Sequence, residues 1–586
     1  MSRLSCFATV LVLAVTSACG RPSEKPAPAP EPQDARAIEL ADRYLAAYLE
    51  RNPETNTFYG IPNTHHDRLF DNSLDAEKVW EAKEDGLLAD ARAIDLSRVQ
   101  SGSARAAYAI AREALESSVE SRVCRNELWN VSQMTGWQVD DGYLLTIQPV
   151  GTPEARREAL ARWGALPAYL DTEIANLRVG IASGYTSPKL AVRIVIDQIA
   201  ALLRSTPADS PFLSPANRDT DAPFKKEFTA LYQTRIRRSL QAYHDFLVKE
   251  YLPAARETIS VTANRDGAAC YAASIREFST LPVPPEEVHK IGLAEVERLT
   301  GEMRTIAERS FHTQDVTGLL QDVRTGKEYL FKNREDLIAY SQSALARAKA
   351  AIPQWFGVLP KSDVAIEPYP KFREKNASNE YNAPAEDGSR PGLFYINAYQ
   401  AEKKSRAPSE STTFHETIPG HHLQIAIALE RKEGHAIGRY INNSGFAEGW
   451  GLYAEQLADE MKLYSGDLDR LGMLSSQAFR AARLVVDTGI HSKNWTRDQA
   501  IAYMLAHTAE ASDDIASEVD RYIVWPGQAT AYMLGKLQIV KAREEARQAM
   551  GAQFDIKAFH DRVLEDGAVP VSFLADKIHA WAMAPR

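Results

Sequence analysis

His415-Glu416-Thr417-Ile418-Pro419-Gly420-His421-His422-Leu423-Gln424 is the stretch from which the rest of the chain can be read. The pattern around it predicts a helix that starts near Pro408-Ser409-Glu410, where Ser409 can cap, and runs on to the apolar segment 423–427. His421 follows His415 by six residues, roughly 240° around an ideal helix; His422 returns to phase but lies about 10 Å along the axis. On a regular helix neither imidazole can meet that of His415. Pro419 cannot donate to the carbonyl of His415 and its ring crowds that turn, while Gly420 tolerates backbone angles other residues do not. The segment is therefore expected to bulge or break at 419–420. Either Pro-Gly simply ends one helix and the histidines serve packing or surface roles, or the break brings imidazoles together.

Two histidines with a Glu directly after the first are residue types that zinc peptidases use. There the usual spacing is four, which sets both imidazoles on one face while the Glu reaches the water. Here position 419 is Pro, so that motif fails. Two ligands at about 2.1 Å from one metal need nitrogens within about 3.5 Å, so metal binding demands the break.

The decapeptide resembles the H-E-x-x-P-G-H-x-x-Q signature of the bacterial domain-of-unknown-function family 885, which is grouped with zincin-type metallopeptidases. The resemblance continues at 445–453, 483–491 and 526–532 and spans most of the chain. It implies a mainly α fold: a large helical zincin-like metallopeptidase with a small β-sheet beside the active-site helix and a cleft between two helical lobes. It implies one zinc ion held by His415, His421 and Glu448, the last in a gluzincin-like Ala447-Glu448-Gly449-Trp450 setting, with a fourth position open for water. His422 and Glu455 are the alternative ligands. Glu416 would act as general base. Tyr532 and His491, with Tyr522 behind them, would donate to the oxyanion, and Gln528 would touch substrate. A solvated carboxylate, or a packed Tyr or His, is the plainer reading of each.

Outward from this segment the chain reads as amphipathic helices, for example 37–50, 104–116, 153–166 and 190–203, with loops at 205–221, 281–285 and 368–391. No fixed-period repeat is present, which argues against a solenoid. The apolar run 390–399 is the best strand candidate. It is either a core strand or an edge strand that pairs with an extended peptide, in which case Tyr395 and Asn397 would contact substrate. Arg483 and Asp487 stand four apart. They either pair, or Arg483 faces the cleft and holds a peptide carboxylate, which would favour carboxypeptidase action.

The 586 residues carry a net charge of -10 and no basic run with interleaved aromatics, which argues against a nucleic-acid partner. Residues 1–18 have the three parts of an export signal, and Thr16-Ser17-Ala18-Cys19 resembles a lipobox with Thr16 in place of the usual Leu. Cys19 would carry lipid and 19–35, rich in proline, would be a tether. Residues 36–586 would form one catalytic unit of two lobes, the metal site within about 365–586. The expected location is the periplasmic side, anchored to a bacterial membrane through the N-terminal lipid alone, or released if the lipobox is not used. Cys124 and Cys270 either pair or stay as buried thiols. The leading expectation is zinc-dependent hydrolysis of peptides by a metal-activated water outside the cytoplasm; cobalt, nickel or manganese could occupy the same ligands. The alternatives are a cell-wall peptide amidase and a non-catalytic zincin-like binding lipoprotein, against which an intact Glu416 argues. Oligomeric state, cleavage position and side-chain preference are open at this level.

Overall fold

Side-chain caps set the ends of many helices. Ser101 accepts from Ala104 N and starts Gly102–Ser121; Thr152 accepts from Ala155 N, with Pro153 at the first position of Pro153–Ser183. The predicted segments 37–50 and 190–203 lie within Asp34–Arg51 and Lys189–Arg204. The computed structural model describes residues 32–369, 374, 379–384 and 391–584; the export signal, Cys19 and most of the proposed tether lie outside the described residues. Helix accounts for 72% and strand for 3%, which makes the fold mainly helical with a small open sheet. The stretch 205–221, expected as a loop, holds the short helices Pro211–Leu213 and Ser214–Arg218, each with a proline in its first turn, where the missing N–H is not needed. No helix among the described residues is long and apolar enough to cross a membrane.

Two hydrophobic cores form. The smaller draws on residues 131–255, including Trp137, Trp163 and Tyr243; the larger takes residues mainly from both flanks, 37–129 and 259–578, with Tyr185 and Ala191 from the stretch between. The chain thus leaves the larger core, builds the smaller and returns. Cys124 and Cys270 sit on the two crossing segments and form a disulfide with Cα atoms 4.6 Å apart. Closing a loop of 146 residues stabilises by up to about 5 kcal/mol in the chain-entropy account.

The larger core is built around six helices: α1 (Pro285–Phe311), α2 (Ser409–Glu416), α3 (His421–Glu430), α4 (Ser444–Glu460), α5 (Asp467–Lys493) and α6 (Ala531–Met550). α5 packs along α1, and α4 along α6. Between 471 and 491 every residue of α5 is buried except Arg480, which is half-buried, so this helix is central. The sheet has the order β1-β3-β2, with β1 (Val364–Pro368) parallel and β2 (Glu380–Asn382) antiparallel to β3 (Gly392–Ile396). β3 is the predicted strand, but it is central, so the edge-strand reading of it fails: both its edges are already hydrogen-bonded. β2, inside the expected loop 368–391, holds one edge and β1 the other.

Candidate metal centre

The helix that enters the site begins at Ser409, one residue earlier than a cap at Ser409 would place it. Pro408 holds the N-cap position, and Ser409 makes no capping hydrogen bond; its N–H is spent on Arg406 O at 3.0 Å. Buried Glu410 pins this end by accepting from Ser465 N at 2.9 Å and Oγ at 2.6 Å and pairing with Arg347. α2 stops at Glu416. The chain passes through Thr417 (φ -112, ψ -109), a cis Ile418–Pro419 bond and Gly420 before α3 starts at His421. The break falls at the Pro-Gly pair. A Cβ on Gly420 would sit 1.9 Å from His415 O, so only glycine lets the chain double back this closely. Trp450 of α4, fully buried, donates its indole N–H to Pro419 O at 3.0 Å and ties the break to the next helix.

The doubling-back brings the two imidazoles edge to face with ring centroids 4.7 Å apart. Nε2 of His415 and Nε2 of His421 each lie 3.5 Å from Glu448 Oε2, and the three ligand atoms are all within 4.8 Å of one another. Those distances exceed the 2.7–2.9 Å or so of a charge-assisted hydrogen bond, yet match the spacing of atoms about 2.1 Å from a shared ion. Two imidazole nitrogens and a carboxylate oxygen are a donor set suited to a divalent cation such as zinc. α4 can come this close because Gly451 faces His415: a Cβ there would meet the ring at 2.7 Å. A second convergence, His65 with Glu154 and Glu158, is largely exposed, and its His65–Glu158 contact is a surface ion pair.

A family model described as bacterial protein of unknown function, DUF885, matches residues 53–578. The chain belongs to the DUF885 family. Among curated proteins no match is found. Of solved structures, a candidate lipoprotein from Colwellia psychrerythraea is 26% identical, with a TM-score of 0.85 over 93% of this chain and 99% of that one. A candidate lipoprotein of unknown function from Shewanella oneidensis, 17% identical with a TM-score of 0.73 over 92% and 99%, shares the fold.

In this DUF885 chain the alternative ligands stand elsewhere. Glu455, fully buried, accepts from His415 Nδ1 at 2.8 Å and from Gln477 Nε2 at 3.1 Å, the place of a carboxylate that orients a ligand from behind. His422 points away from the cluster, with Nδ1 3.0 Å from Tyr381 OH and Nε2 3.0 Å from Ser362 O. Burial opposes a charge on His415, but the neighbouring carboxylates of Glu448 and Glu455 outweigh it and raise its pKa to about 9. Burial likewise opposes charge on Glu448, and the two imidazoles hold its carboxyl well below the usual range. Burial raises the Glu416 carboxyl, partly offset by His421 and His415.

A cavity of about 510 Å³ opens over the cluster, lined by Glu416, Tyr532 and Arg483, and by Asn379, Glu380 and Tyr381 at β2. Burial and Glu448 push the Tyr532 phenol up, which keeps it a donor. Other selected residues are not at this wall. His491 is fully buried, accepting from Val261 N at 3.1 Å through Nδ1 and donating to Tyr522 O at 2.9 Å, so neither ring nitrogen is left for an oxyanion. Tyr522 donates to Glu518 at 2.9 Å and accepts from Arg483 Nε at 3.0 Å. Tyr395 stacks on Tyr369 with centroids 5.2 Å apart, and Asn397, just past β3, accepts from Tyr399 N at 2.9 Å; neither lines this cavity. Gln528, paired with Arg521, lines an adjoining cavity of about 890 Å³ that meets the first at Tyr59, Asn442 and Glu448. Arg483 and Asp487 do not pair: Asp487 accepts from Tyr271 OH at 2.6 Å and Gly527 N at 3.1 Å. Arg480, Tyr59 and the β2 residues line the cavity without having been singled out; Arg480 had a signal, a second arginine three residues before Arg483 and so on the same face of the helix.

Proposed function

We propose that this protein hydrolyses peptide bonds outside the cytoplasm at a divalent cation, zinc by preference, held by His415, His421 and Glu448. The observation that carries the reading is the convergence of those three ligand atoms in a cavity whose wall includes Glu416. When bound, the cation supplies a Lewis acid that polarises the carbonyl and lowers the pKa of water. Glu416, kept basic by burial, takes a proton from water as the water oxygen bonds to the scissile carbon, and passes it to the leaving nitrogen as the C–N bond breaks. The products are a carboxylate and an amine. The Tyr532 phenol donates to the carbonyl oxygen as negative charge gathers there. Glu455 fixes the ring of His415. The lipoprotein description of the Colwellia neighbour supports an exported, lipid-anchored location, with Cys19 as the anchor.

The test is mass spectrometry of products from a peptide library, with metal content measured on the same samples. Wild type should release products and Glu416→Gln should slow release by about 10²- to 10⁴-fold while keeping its metal. Equal cleavage by both proteins, or wild type purified without chelators and free of stoichiometric metal, would overturn the assignment.

A further inference from the structure

Two arginines line the cavity from the central helix, and neither is fully partnered. Arg483 is 5% exposed; its Nε donates to Tyr522 OH at 3.0 Å and its Nη2 to Glu518 Oε2 at 2.8 Å, while Nη1 is buried without a protein partner. Its guanidinium lies between two rings, with Cζ 4.5 Å from the centroid of Phe479 and 4.4 Å from that of Tyr532. Arg480 reaches Ser476 O at only 3.4 Å and Glu455 at only 3.9 Å, and its Nε also lacks a partner. Glu518 is shared, because Arg521 takes the same oxygen at 2.9 Å. One carboxylate thus serves two guanidiniums, and a buried cation left short of acceptors is costly. The Nη1 of Arg483, with Arg480 one helical turn away, offers charged donors that a carboxylate matches. Across the cluster the adjoining cavity has a different character: the cations in its wall, Arg51 and Arg122, are paired with Glu77 and Glu84, and the wall is rich in aromatic side chains.

Resting on the hydrolase reading above, we infer that the Arg480–Arg483 wall seats the free C-terminal carboxylate of the substrate, so that the protein trims residues from the C-terminal ends of peptides. The upstream part of the peptide then extends past Glu448 into the larger cavity. The side-chain carboxylate of a glutamate has the same chemistry, and the experiment separates the two.

Three N-acetylated tripeptides serve as probes: a free acid ending in alanine, its carboxamide, and a carboxamide ending in glutamate. The zinc-loaded wild type should cleave the free acid about 10- to 100-fold faster in kcat/KM than either amide, the range expected for losing a charged hydrogen bond. In calorimetric titration of Glu416→Gln, the free acid should bind tighter than the amide by a similar factor. Adding Arg483→Gln should collapse that preference to below about threefold. Arg480→Gln, at a half-buried position, gives the same readout with less risk to folding. Equal cleavage of acid and amide overturns the inference and leaves peptide hydrolysis standing. A glutamate amide handled as well as the free acid assigns the wall to a side chain and overturns it too. Tighter binding of the free acid without cleavage keeps the carboxylate seat and removes the hydrolase reading; neither binding preference nor cleavage removes both.

Discussion

The candidate metal cluster and the C-terminal end of α5 both bury histidine beside carboxylate, and they arrange it in opposite ways. At His491 both ring nitrogens are consumed by backbone partners, and nearby Asp487 takes Tyr271 and Gly527. At His415 and His421 the Nε2 atoms converge on one carboxylate at distances too long for good hydrogen bonds. His560 belongs with His491: its nitrogens are spent on Tyr453 and on Trp355 O, each at 2.8 Å. Burial alone does not mark a functional histidine. What sets this pair apart is a ring nitrogen on each that no backbone group takes up and that faces, with the other, one shared carboxylate.

The largest effect should come from deleting a ligand. His421→Ala should fall from about one metal ion per chain to none detectable by elemental analysis, whereas His422, one residue on, contributes nothing to metal content. A full complement of metal in His421→Ala would erase the contrast between the two histidine classes.

A smaller effect should follow from the residue behind the ligand. Glu455→Gln should weaken metal affinity by about 10- to 100-fold, read by competition with a chelator of known affinity. An unchanged affinity would mean that the contact with His415 only packs the helices.

The smallest effect separates stability from metal binding. Burial lowers the pKa of His491 to about 4 and that of His560 to about 3, from 6.5. Between those values the unfolded chain binds more protons than the folded one, so stability is full above about pH 6.5 and is lost as pH falls toward 4. His491→Ala should cost about 1–3 kcal/mol at pH 7 and flatten this slope in denaturant titrations, with metal content unchanged. A steeper slope in the variant would overturn the assignment of His491 as a buried neutral residue.

Much of this was legible in residues. Helices at 37–50, 104–116, 153–166 and 190–203 follow from apolar spacing, and the break at Pro419-Gly420 follows from a missing N–H and a missing Cβ. Both are local, and local sterics travel with the sequence. The position of His491 was misread because a histidine near a family motif says nothing about which backbone groups will meet its ring. The sequence left β3 open between core and edge because strand order depends on β2, a three-residue strand with almost no hydrophobic signature.

The sequence by itself determined the helical class, the broken helix between His415 and His421, and the pool of side chains able to hold a cation, because backbone propensity and donor chemistry belong to the residues. Only the tertiary structure decided that Glu448 faces both imidazoles while Glu455 stands behind one, although seven residues place both on nearly the same face of α4. It also decided that Arg483 looks into the cavity while Asp487 is sealed away. The physical reason is that one helical turn of about 5.4 Å exceeds the reach of a metal bond or a hydrogen bond, so the packing of α2, α3, α4 and α5 selects one member of each pair.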